Sequence, residues 1–336
     1  MARQTRAIVM RAFGGPDVLR PEGFPLPPLG PAELRIRTLA AAVNHSDLEV
    51  RSGAWPLRRA DALPYVPGLE VLGEVSEVGS EVGAAAGAPR VGDRVITMMQ
   101  GLGGVRAERA GGYQHEVTVS ADVVAPVPAA VDPLAAAALG LAAVTAHEGL
   151  ARLGSLAGRT LVVTGAAGGV GSAACALGAA MGARIVAVVR AAAPEAAAYL
   201  RGLGVAQIVT DPAELGPRSV DAVLDSVVGP LLEPLIAALA DGGRYCMVGA
   251  MAGDRAAFSA WELLRGLVIT GYSSETLDGP ALRAATAAIF ERLLRGELLP
   301  PVYETLPLSQ AAEAHRRIEA RGVRGRVLLV PDPGTA

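Results

Sequence analysis

The stretch that decides the fold is Thr160–Gly171, with the sequence TLVVTGAAGGVG. Its apolar start, Leu161–Val163, predicts a buried strand, and the glycines that follow predict a tight turn into a helix ending near Met181. At such a turn the backbone approaches a pyrophosphate closely, and the positive end of the helix favours that anion. We therefore predict a dinucleotide site at the turn residues Ala167, Gly168, Gly169, Val170 and Gly171. The alternative is a strand-to-helix turn that binds nothing.

The residue that closes the next strand predicts which dinucleotide binds. In a dinucleotide-binding fold this residue meets the adenosine ribose, where Asp or Glu accepts from a 2′-hydroxyl and Arg accommodates a 2′-phosphate. Arg190 holds this position, and the next acidic residue is Glu195. The sequence therefore favours NADPH over NADH. The alternative is that Arg190 merely ends a strand in solvent.

Strand and helix patterns alternate from residue 160 to residue 248, which predicts a doubly wound parallel sheet and an α/β fold. The first 125 residues differ. There Leu34, Ile36 and Thr38 alternate with Arg35 and Arg37, as in a half-buried strand whose arginines face solvent. Similar short strands separated by glycine and proline turns predict an antiparallel, barrel-like β domain.

Composition limits the functions open to the chain. Its 336 residues suggest about two domains. All 30 basic residues are Arg, so chemistry that needs a lysine Schiff base is excluded. A net charge of −3 offers no general basic field for nucleic acid.

Two further features indicate a cytoplasmic protein without a membrane span. The chain has 2 cysteines, Cys175 and Cys246, too few for a disulfide framework or a four-cysteine zinc site. The N-terminus lacks the apolar core of a signal peptide. Residues 160–183 are uncharged over a length that could span a bilayer, but the glycines that interrupt them fit a strand, turn and helix better.

Several motifs in the same order resemble the zinc-free quinone oxidoreductase (zeta-crystallin-like) branch of the medium-chain dehydrogenase/reductase superfamily. The matching segments are Val43–Asp47, Leu63–Gly68, Val91–Val95, Gly111–Tyr113, Thr145-Ala146, Ala166–Gly171 and Gly325–Leu329. The resemblance implies a GroES-like β-barrel catalytic domain from residues 1–126 and 266–336 and a Rossmann domain from residues 127–265. It also implies a cleft for a small-molecule substrate and a homodimer joined through the strand Leu267–Thr270.

The resemblance also implies chemistry without zinc. Zinc-dependent relatives have a Cys where this chain has Asn44 and a His where it has Leu69, and neither replacement is a good zinc ligand. Without a Lewis acid, exchange between alcohol and ketone loses its usual support. Reduction of a quinone or of a conjugated C=C bond needs less, because the carbonyl of the substrate carries the charge.

Site residues follow from the matching motifs. Thr145 is expected near the nicotinamide or its phosphate, and Gly249 is expected along the cofactor cleft. Asn44 and Asp47 are the candidate catalytic residues, and the alternative for both is helix capping and loop bracing.

The predicted substrate pocket departs from the family. Glu49 and Trp55 stand where two tyrosines are frequent, and Tyr65 lies nearby in the sequence. Glu49 is a proton donor if it is buried with a raised pKa, and otherwise an exposed helix residue. The lysine frequent after the second strand falls near Ala196, which weakens the case for NADPH.

We expect a zinc-independent, NADPH-dependent oxidoreductase that transfers hydride to a quinone or an activated C=C bond. One alternative is a trans-acting enoyl reductase or tailoring reductase of a biosynthetic pathway. Another is a non-catalytic NADPH-binding protein with a structural or regulatory role.

Overall fold

The computed structural model describes residues 3–55, 63–83, 87–106, 108–301, 303–320 and 324–334. Its helices and strands follow in the order β1 (Gln4–Val9), β2 (Arg20–Pro25), β3 (Glu33–Ala42), α1 (His45–Ser52), β4 (Glu70–Val78), β5 (Arg94–Met98), β6 (Glu116–Ser120), β7 (Ala125–Pro126), α2 (Pro133–Ala151), β8 (Thr160–Thr164), α3 (Gly169–Ala180), β9 (Arg184–Val188), α4 (Pro194–Gly202), β10 (Val205–Val209), β11 (Val220–Asp225), α5 (Leu232–Ala238), β12 (Leu239–Met247), β13 (Val268–Gly271), α6 (Gly279–Leu294), β14 (Tyr303–Pro307), α7 (Ala311–Glu319) and β15 (Arg326–Val330).

The chain forms two compact units. The first comprises Met1–Leu141, Glu275–Glu291 and Val302–Ala336, and the second comprises Ala142–Ser274 and Arg292–Pro301. The predicted domains end elsewhere, at residues 126 and 265. The difference at the second boundary arises because β13 pairs in parallel with β12 and so extends the sheet of the second unit.

The first unit contains the predicted β domain, whose large sheet is antiparallel except for the parallel pair of β14 with β15. Its strands lie in the order β14-β15-β3-β4-β5-β7, and β6 also pairs with β3. Leu34, Ile36 and Thr38 are buried on β3 as predicted. The expectation of a solvent-facing Arg35 is wrong, because Arg35 is 2% exposed and its guanidinium bonds to Thr118 Oγ1 and Pro27 O. These acceptors each bond to one terminal nitrogen of the guanidinium, and Glu77 Oε1 lies 3.8 Å from its Nε as an ion-pair partner.

The second unit contains the predicted doubly wound sheet. Six parallel strands lie in the order β10-β9-β8-β11-β12-β13. The chain order reverses between β8 and β11, and ligands of such sheets bind at the carboxyl ends of the strands at this switch point. The α/β fold class is confirmed. Strand β10 was not predicted, since its five residues carry no clear alternation.

Helix α2 is interrupted at Gly140, whose φ of 26° and ψ of −134° are not helical. Among the described residues, α2 alone is long and apolar enough to cross a bilayer by length and composition. Within its most apolar window, 78% is buried inside the protein, as in the core helix of a globular fold. The apolar stretch 160–183 is instead the strand, turn and helix predicted from its glycines.

Candidate functional site

The glycine turn lies between β8 and α3, at the switch point of the parallel sheet. Gly168 is the N-cap of α3 and offers no side-chain acceptor. The amide of Ser172 bonds to Gly168 O at 2.9 Å, which closes the first helical turn. The amides of Gly169, Val170 and Gly171 therefore lack helical acceptors, as the first amides of any helix do. With the positive end of the helix dipole, they form a suitable site for a phosphate group.

Two glycines of the turn are required by its packing. A Cβ on Gly171 would lie 2.2 Å from Gly165 O, a contact that no side chain tolerates. Gly165 itself has φ of +57°, in the left-handed region that favours glycine. Gly168 is exposed and Ala167 half-buried, so this part of the turn is open to a ligand.

The other predicted cofactor residues are Thr145, Gly249 and Arg190, and all three belong to the second unit. Thr145 is on α2 and 7% exposed. Gly249 follows β12, and a Cβ added there would lie 3.0 Å from Ser226 O, so this loop packs closely on the loop after β11. Arg190 is exposed two residues after the end of β9, the strand that pairs with β8. Its position and exposure fit the predicted contact with an adenosine ribose and equally fit a solvated strand end.

In the first unit, Asn44 and Asp47 form the N-terminal capping box of α1. Asp47 Oδ2 accepts from the Asn44 amide at 2.8 Å, and Oδ1 accepts from the Leu69 amide at 3.0 Å. Asp47 is fully buried, so it ties the start of α1 to the start of β4. This geometry fits the bracing role that was the alternative to catalysis.

Asn44 belongs to a second buried cluster, which the sequence analysis missed. Its Nδ2 donates to Glu70 Oε1 at 3.1 Å and to Ala42 O at 3.3 Å, and its Oδ1 accepts from Arg326 Nη1 at 3.0 Å. Arg326 Nη2 also bonds to Glu70 Oε1. Both hydrogens of the Asn44 amide are therefore used inside the unit, and a hydrogen bond from it to a substrate carbonyl would require rearrangement.

Glu70 also accepts from the Leu141 amide, at 2.5 Å, where α2 resumes after the break at Gly140. A Cβ on Gly140 would lie 2.3 Å from Glu70 Oε2, so the break makes room for the carboxylate. Burial raises the pKa of Glu70, and the charge of Arg326 opposes that rise. The two charges pair in a buried site, where Glu70 is 2% and Arg326 5% exposed.

A buried chain of polar side chains leads to Asp47. Arg51 Nη1 lies 3.3 Å from His315 Nδ1, and His315 Nε2 lies 3.2 Å from the Tyr113 hydroxyl. Because an arginine can only donate, Nδ1 must accept and the hydrogen of neutral His315 must be on Nε2. Burial, the charge of Asp47 and a hydrogen bond with Asp47 hold the pKa of Tyr113 well above its usual value.

Burial also shifts the pKa values of Asp47 and His315 in this row of polar side chains. Burial raises the pKa of Asp47 to about 7, against the hydrogen bond from the Asn44 amide, and the charge of Glu70 adds to the rise. Burial, with the charge of Arg51, lowers the pKa of His315 to about 3.

The three predicted pocket residues differ in exposure. Glu49 is half-buried on α1, and burial raises the pKa of its carboxyl group. Trp55 is also half-buried. Tyr65 is 3% exposed and pairs with Met10 through two backbone hydrogen bonds of 2.8 and 2.9 Å, as expected of a packing residue. The structure thus places Glu49 between the two expectations, neither fully buried nor fully exposed.

The residues at the expected zinc position do not fit a zinc ion. Leu69 is apolar and 1% exposed, and the Asn44 oxygen already accepts from a guanidinium. Over the described ranges, no three His, Cys, Asp or Glu side chains come together as a metal site. Cys175 and Cys246 are buried free thiols, and burial raises their pKa to about 12 and about 11. Buried, protonated thiols are poor metal ligands.

Comparisons with known proteins match two families to different parts of the chain. The family "Alcohol dehydrogenase GroES-like domain" matches residues 30–129, and "Zinc-binding dehydrogenase" matches residues 203–329. Quinone oxidoreductase of pig (Sus scrofa) is 28% identical over 342 residues, which cover 96% of this chain and 97% of that protein.

Solved structures cover the whole chain. Quinone oxidoreductase of Escherichia coli, solved in complex with NADPH, is 28% identical with a TM-score of 0.83, and the match covers 97% of this chain and 100% of that one. A mycobacterial quinone oxidoreductase is 30% identical with a TM-score of 0.83, again over 97% and 100% of the two chains. The resemblance found in the sequence is confirmed: this chain belongs to the quinone oxidoreductase branch of the medium-chain dehydrogenase/reductase superfamily.

Proposed function

We propose that this protein is an NADPH-dependent, zinc-independent oxidoreductase that reduces a quinone or an activated C=C bond of an enone or enoyl compound. The observation that carries the proposal is the open glycine turn at the N-terminus of α3. It lies at the switch point of the parallel sheet in a chain whose Escherichia coli relative was solved with NADPH. The fold alone would not identify the reaction, since one fold hosts many chemistries.

The amides of Gly169, Val170 and Gly171 would hold the pyrophosphate, and the Arg190 guanidinium would pair with the 2′-phosphate. When bound, NADPH supplies a hydride to an electrophilic carbon or to a quinone. Thr145 and Gly249 would border the nicotinamide half of the cofactor. The dinucleotide fits this unit because the turn offers unpaired amide donors and an exposed approach at Gly168.

Zinc independence rests on the chemistry of the donor set. One matching family is described as zinc-binding, yet the described part of this chain offers Asn44 and Leu69 at the expected ligand positions. The cation beside Asn44 is the Arg326 guanidinium. In enone reduction the substrate oxygen carries the enolate charge, so the reaction needs a proton donor more than a Lewis acid.

We assign the proton donor to Glu49. Glu49 is half-buried on α1, and burial raises the pKa of its carboxyl group, the direction that favours a proton donor. Protonated, it would deliver its hydrogen to the enolate formed after hydride addition. Asn44 and Asp47 would then act by holding the start of α1, which carries Glu49.

For its partner we propose a second copy of this chain, joined at the edge strand β13. Trp261 and Leu264 are each 76% exposed, and Val268 and Ile269 on β13 are each 38% exposed. Apolar side chains around an open sheet edge favour pairing with another chain across a two-fold axis. A dimer that Ile269→Arg converts to monomers in sedimentation experiments would support this. A monomeric wild type would refute it.

The two free cysteines suit the expected cytoplasmic location.

The decisive experiment follows NADPH oxidation with a panel of quinones, enones and enoyl thioesters, together with elemental analysis of protein purified without chelator. We expect turnover with quinones or enones, no stoichiometric zinc, and loss of most enone turnover in Glu49→Gln. Fastest turnover with thioesters would instead favour a biosynthetic enoyl reductase. Tight NADPH binding without turnover would favour a non-catalytic binding protein. One zinc per chain, with activity lost on its removal, would refute zinc independence.

A further inference from the structure

Asp225 ends β11 at the switch point of the parallel sheet and is 0% exposed. Its Oδ1 accepts from Thr164 Oγ1 at 2.6 Å and from the amides of Val227 and Val228 at 2.7 and 3.0 Å. Its Oδ2 accepts from the Tyr245 hydroxyl at 2.6 Å. One carboxylate therefore collects donors from the ends of β8, β11 and β12. Within the part of the chain that the structure describes, no ion pair forms with this carboxylate.

The hydrogen bonds of Thr164 and Tyr245 with Asp225 have one direction, in which the hydroxyl groups donate and the carboxylate accepts. Burial and the charge of Asp225 raise the pKa of Tyr245, so this hydroxyl keeps its hydrogen. Thr164 Oγ1 accepts from the Ser226 amide at 2.9 Å, which leaves its own hydrogen for Asp225. Four donors face two carboxylate oxygens, and hydrogen bonds replace a counter-cation in compensating the buried charge.

The loops that these bonds join contain residues with positive φ angles and very close backbone packing. Val228 has φ of +57°, which branched side chains rarely adopt. The next residue, Gly229, also has positive φ, and a Cβ there would lie 2.5 Å from Ala252 O. On the other side, a Cβ on Gly165 would lie 2.8 Å from Ser226 Oγ. The loops after β8 and β12 thus each pack directly on the loop after β11, which begins next to Asp225.

We propose that Asp225 is a positioning residue for the dinucleotide site, holding three adjacent strand ends so that the glycine turn keeps the shape that binds the cofactor. This inference rests on the proposed function, because it assumes that the turn binds NADPH. Asp225 is fully buried, and the proposed role does not require it to contact the cofactor. Its contribution lies in keeping the turn in one binding-competent conformation, since any fraction of the chain with a displaced turn lowers the apparent affinity.

The chain contains a matched control on the same strand. Asp221 lies at the other end of β11, and its Oδ2 accepts from the Thr160 amide at 2.8 Å. It therefore bridges the same two strands, β8 and β11, at the edge remote from the glycine turn. Asp221→Asn and Asp225→Asn each remove one negative charge from a bridge between β8 and β11, and only the second is expected to alter cofactor binding.

The test measures NADPH dissociation constants by fluorescence titration and melting temperatures without cofactor. We expect Asp225→Asn to weaken NADPH binding about tenfold or more, because charge-assisted bonds are lost and the turn is no longer held. Asp221→Asn should leave the dissociation constant unchanged. Thr164→Val, which keeps the shape but removes the donor, should weaken binding about threefold or more, and Thr164→Ser should restore it. This pair decides the question if Asp225→Asn does not fold.

Two outcomes overturn the inference. Unchanged NADPH affinity in Asp225→Asn and Thr164→Val, with wild-type binding intact, removes the positioning role and leaves the proposed function standing. Equal loss of affinity in the Asp221 and Asp225 variants, in proportion to lost thermal stability, shows a merely structural role. A wild type that binds neither NADPH nor NADH removes the proposed function and this inference together.

Discussion

Two glycines of the turn should respond differently to a single added methyl group. At Gly171 the new Cβ would lie 2.2 Å from Gly165 O and 2.6 Å from Ala166 Cα, both backbone atoms that cannot move aside cheaply. At Gly168 the backbone has φ of −83° and ψ of 179°, which any residue adopts, and the nearest atom is 3.3 Å away. Gly171→Ala should therefore damage the fold, and Gly168→Ala should damage only the binding of a pyrophosphate.

The magnitudes follow from these contacts. Overpacking of the kind expected at Gly171 costs about 1–3 kcal/mol of the free energy of unfolding. At Gly168 the tight contact is offset by the lower entropy of the unfolded alanine chain, so stability should change by less than about 1 kcal/mol. Charged hydrogen bonds are worth about 1.5–3 kcal/mol, so displacing the pyrophosphate from even one amide should weaken NADPH binding about tenfold or more.

Urea unfolding of the free protein, followed by circular dichroism, separates these effects from NADPH titration by fluorescence. Gly202→Ala is the matched control, because a Cβ at this position in α4 meets nothing within 4 Å. It should bind NADPH normally and be as stable as wild type or slightly more stable. Wild-type stability in Gly171→Ala would refute the packing argument. Wild-type affinity in Gly168→Ala would show that the nucleotide does not lie at this turn.

Three further predictions concern charged and titratable groups. Arg190→Ala should weaken NADPH about ten- to hundredfold while leaving NADH nearly unchanged, and an unaltered ratio in titrations of both cofactors would mark Arg190 as a solvated strand end. Burial lowers the pKa of His315 to about 3, against 6.5 in the unfolded chain. The folded protein is therefore most stable above pH 6.5 and loses stability as the pH falls toward 3, because over that range only the unfolded chain gains a proton on this residue. Urea unfolding should show that His315→Gln removes this slope of up to about 1.4 kcal/mol per pH unit, and an unchanged slope would assign it to other groups. Arg326→Met should cost about 3–5 kcal/mol of unfolding free energy, because it leaves the buried Glu70 without its counter-charge. Arg317→Met, whose ion pair is exposed, should change stability far less, and equal losses in urea unfolding would contradict the buried-pair account.

Prediction of the local structure around the proposed site succeeded where the signal was local. The strand, glycine turn and helix around Gly168 follow one another directly in the chain, so the backbone freedom of glycine and the apolar segments on either side suffice to place the turn. The capping box of Asn44 and Asp47 is equally local, spanning a single helical turn. These features depend on neighbours in sequence, which a reader of the sequence can see.

Prediction failed where distant groups meet. Arg35 lies in an alternating pattern that predicts exposure, yet its guanidinium is buried inside the unit, where it bonds to Thr118 Oγ1 and Pro27 O. Arg326 and Glu70 are separated by 256 positions, and nothing in either segment announces the other. Their pairing changes the interpretation of Asn44, because it uses the amide that a substrate was expected to meet.

The sequence by itself determined the class of fold, the place of the glycine turn and the family, because apolar periodicity, turn chemistry and short motifs act over a few residues. Only the tertiary structure decided which polar groups are satisfied internally. The Asp225 carboxylate meets Thr164 from 61 positions away, and its burial follows from the pairing of β8 with β11 rather than from its own segment. Hydrogen bonding and desolvation depend on every neighbour in space, and those neighbours are set by how the strands pair.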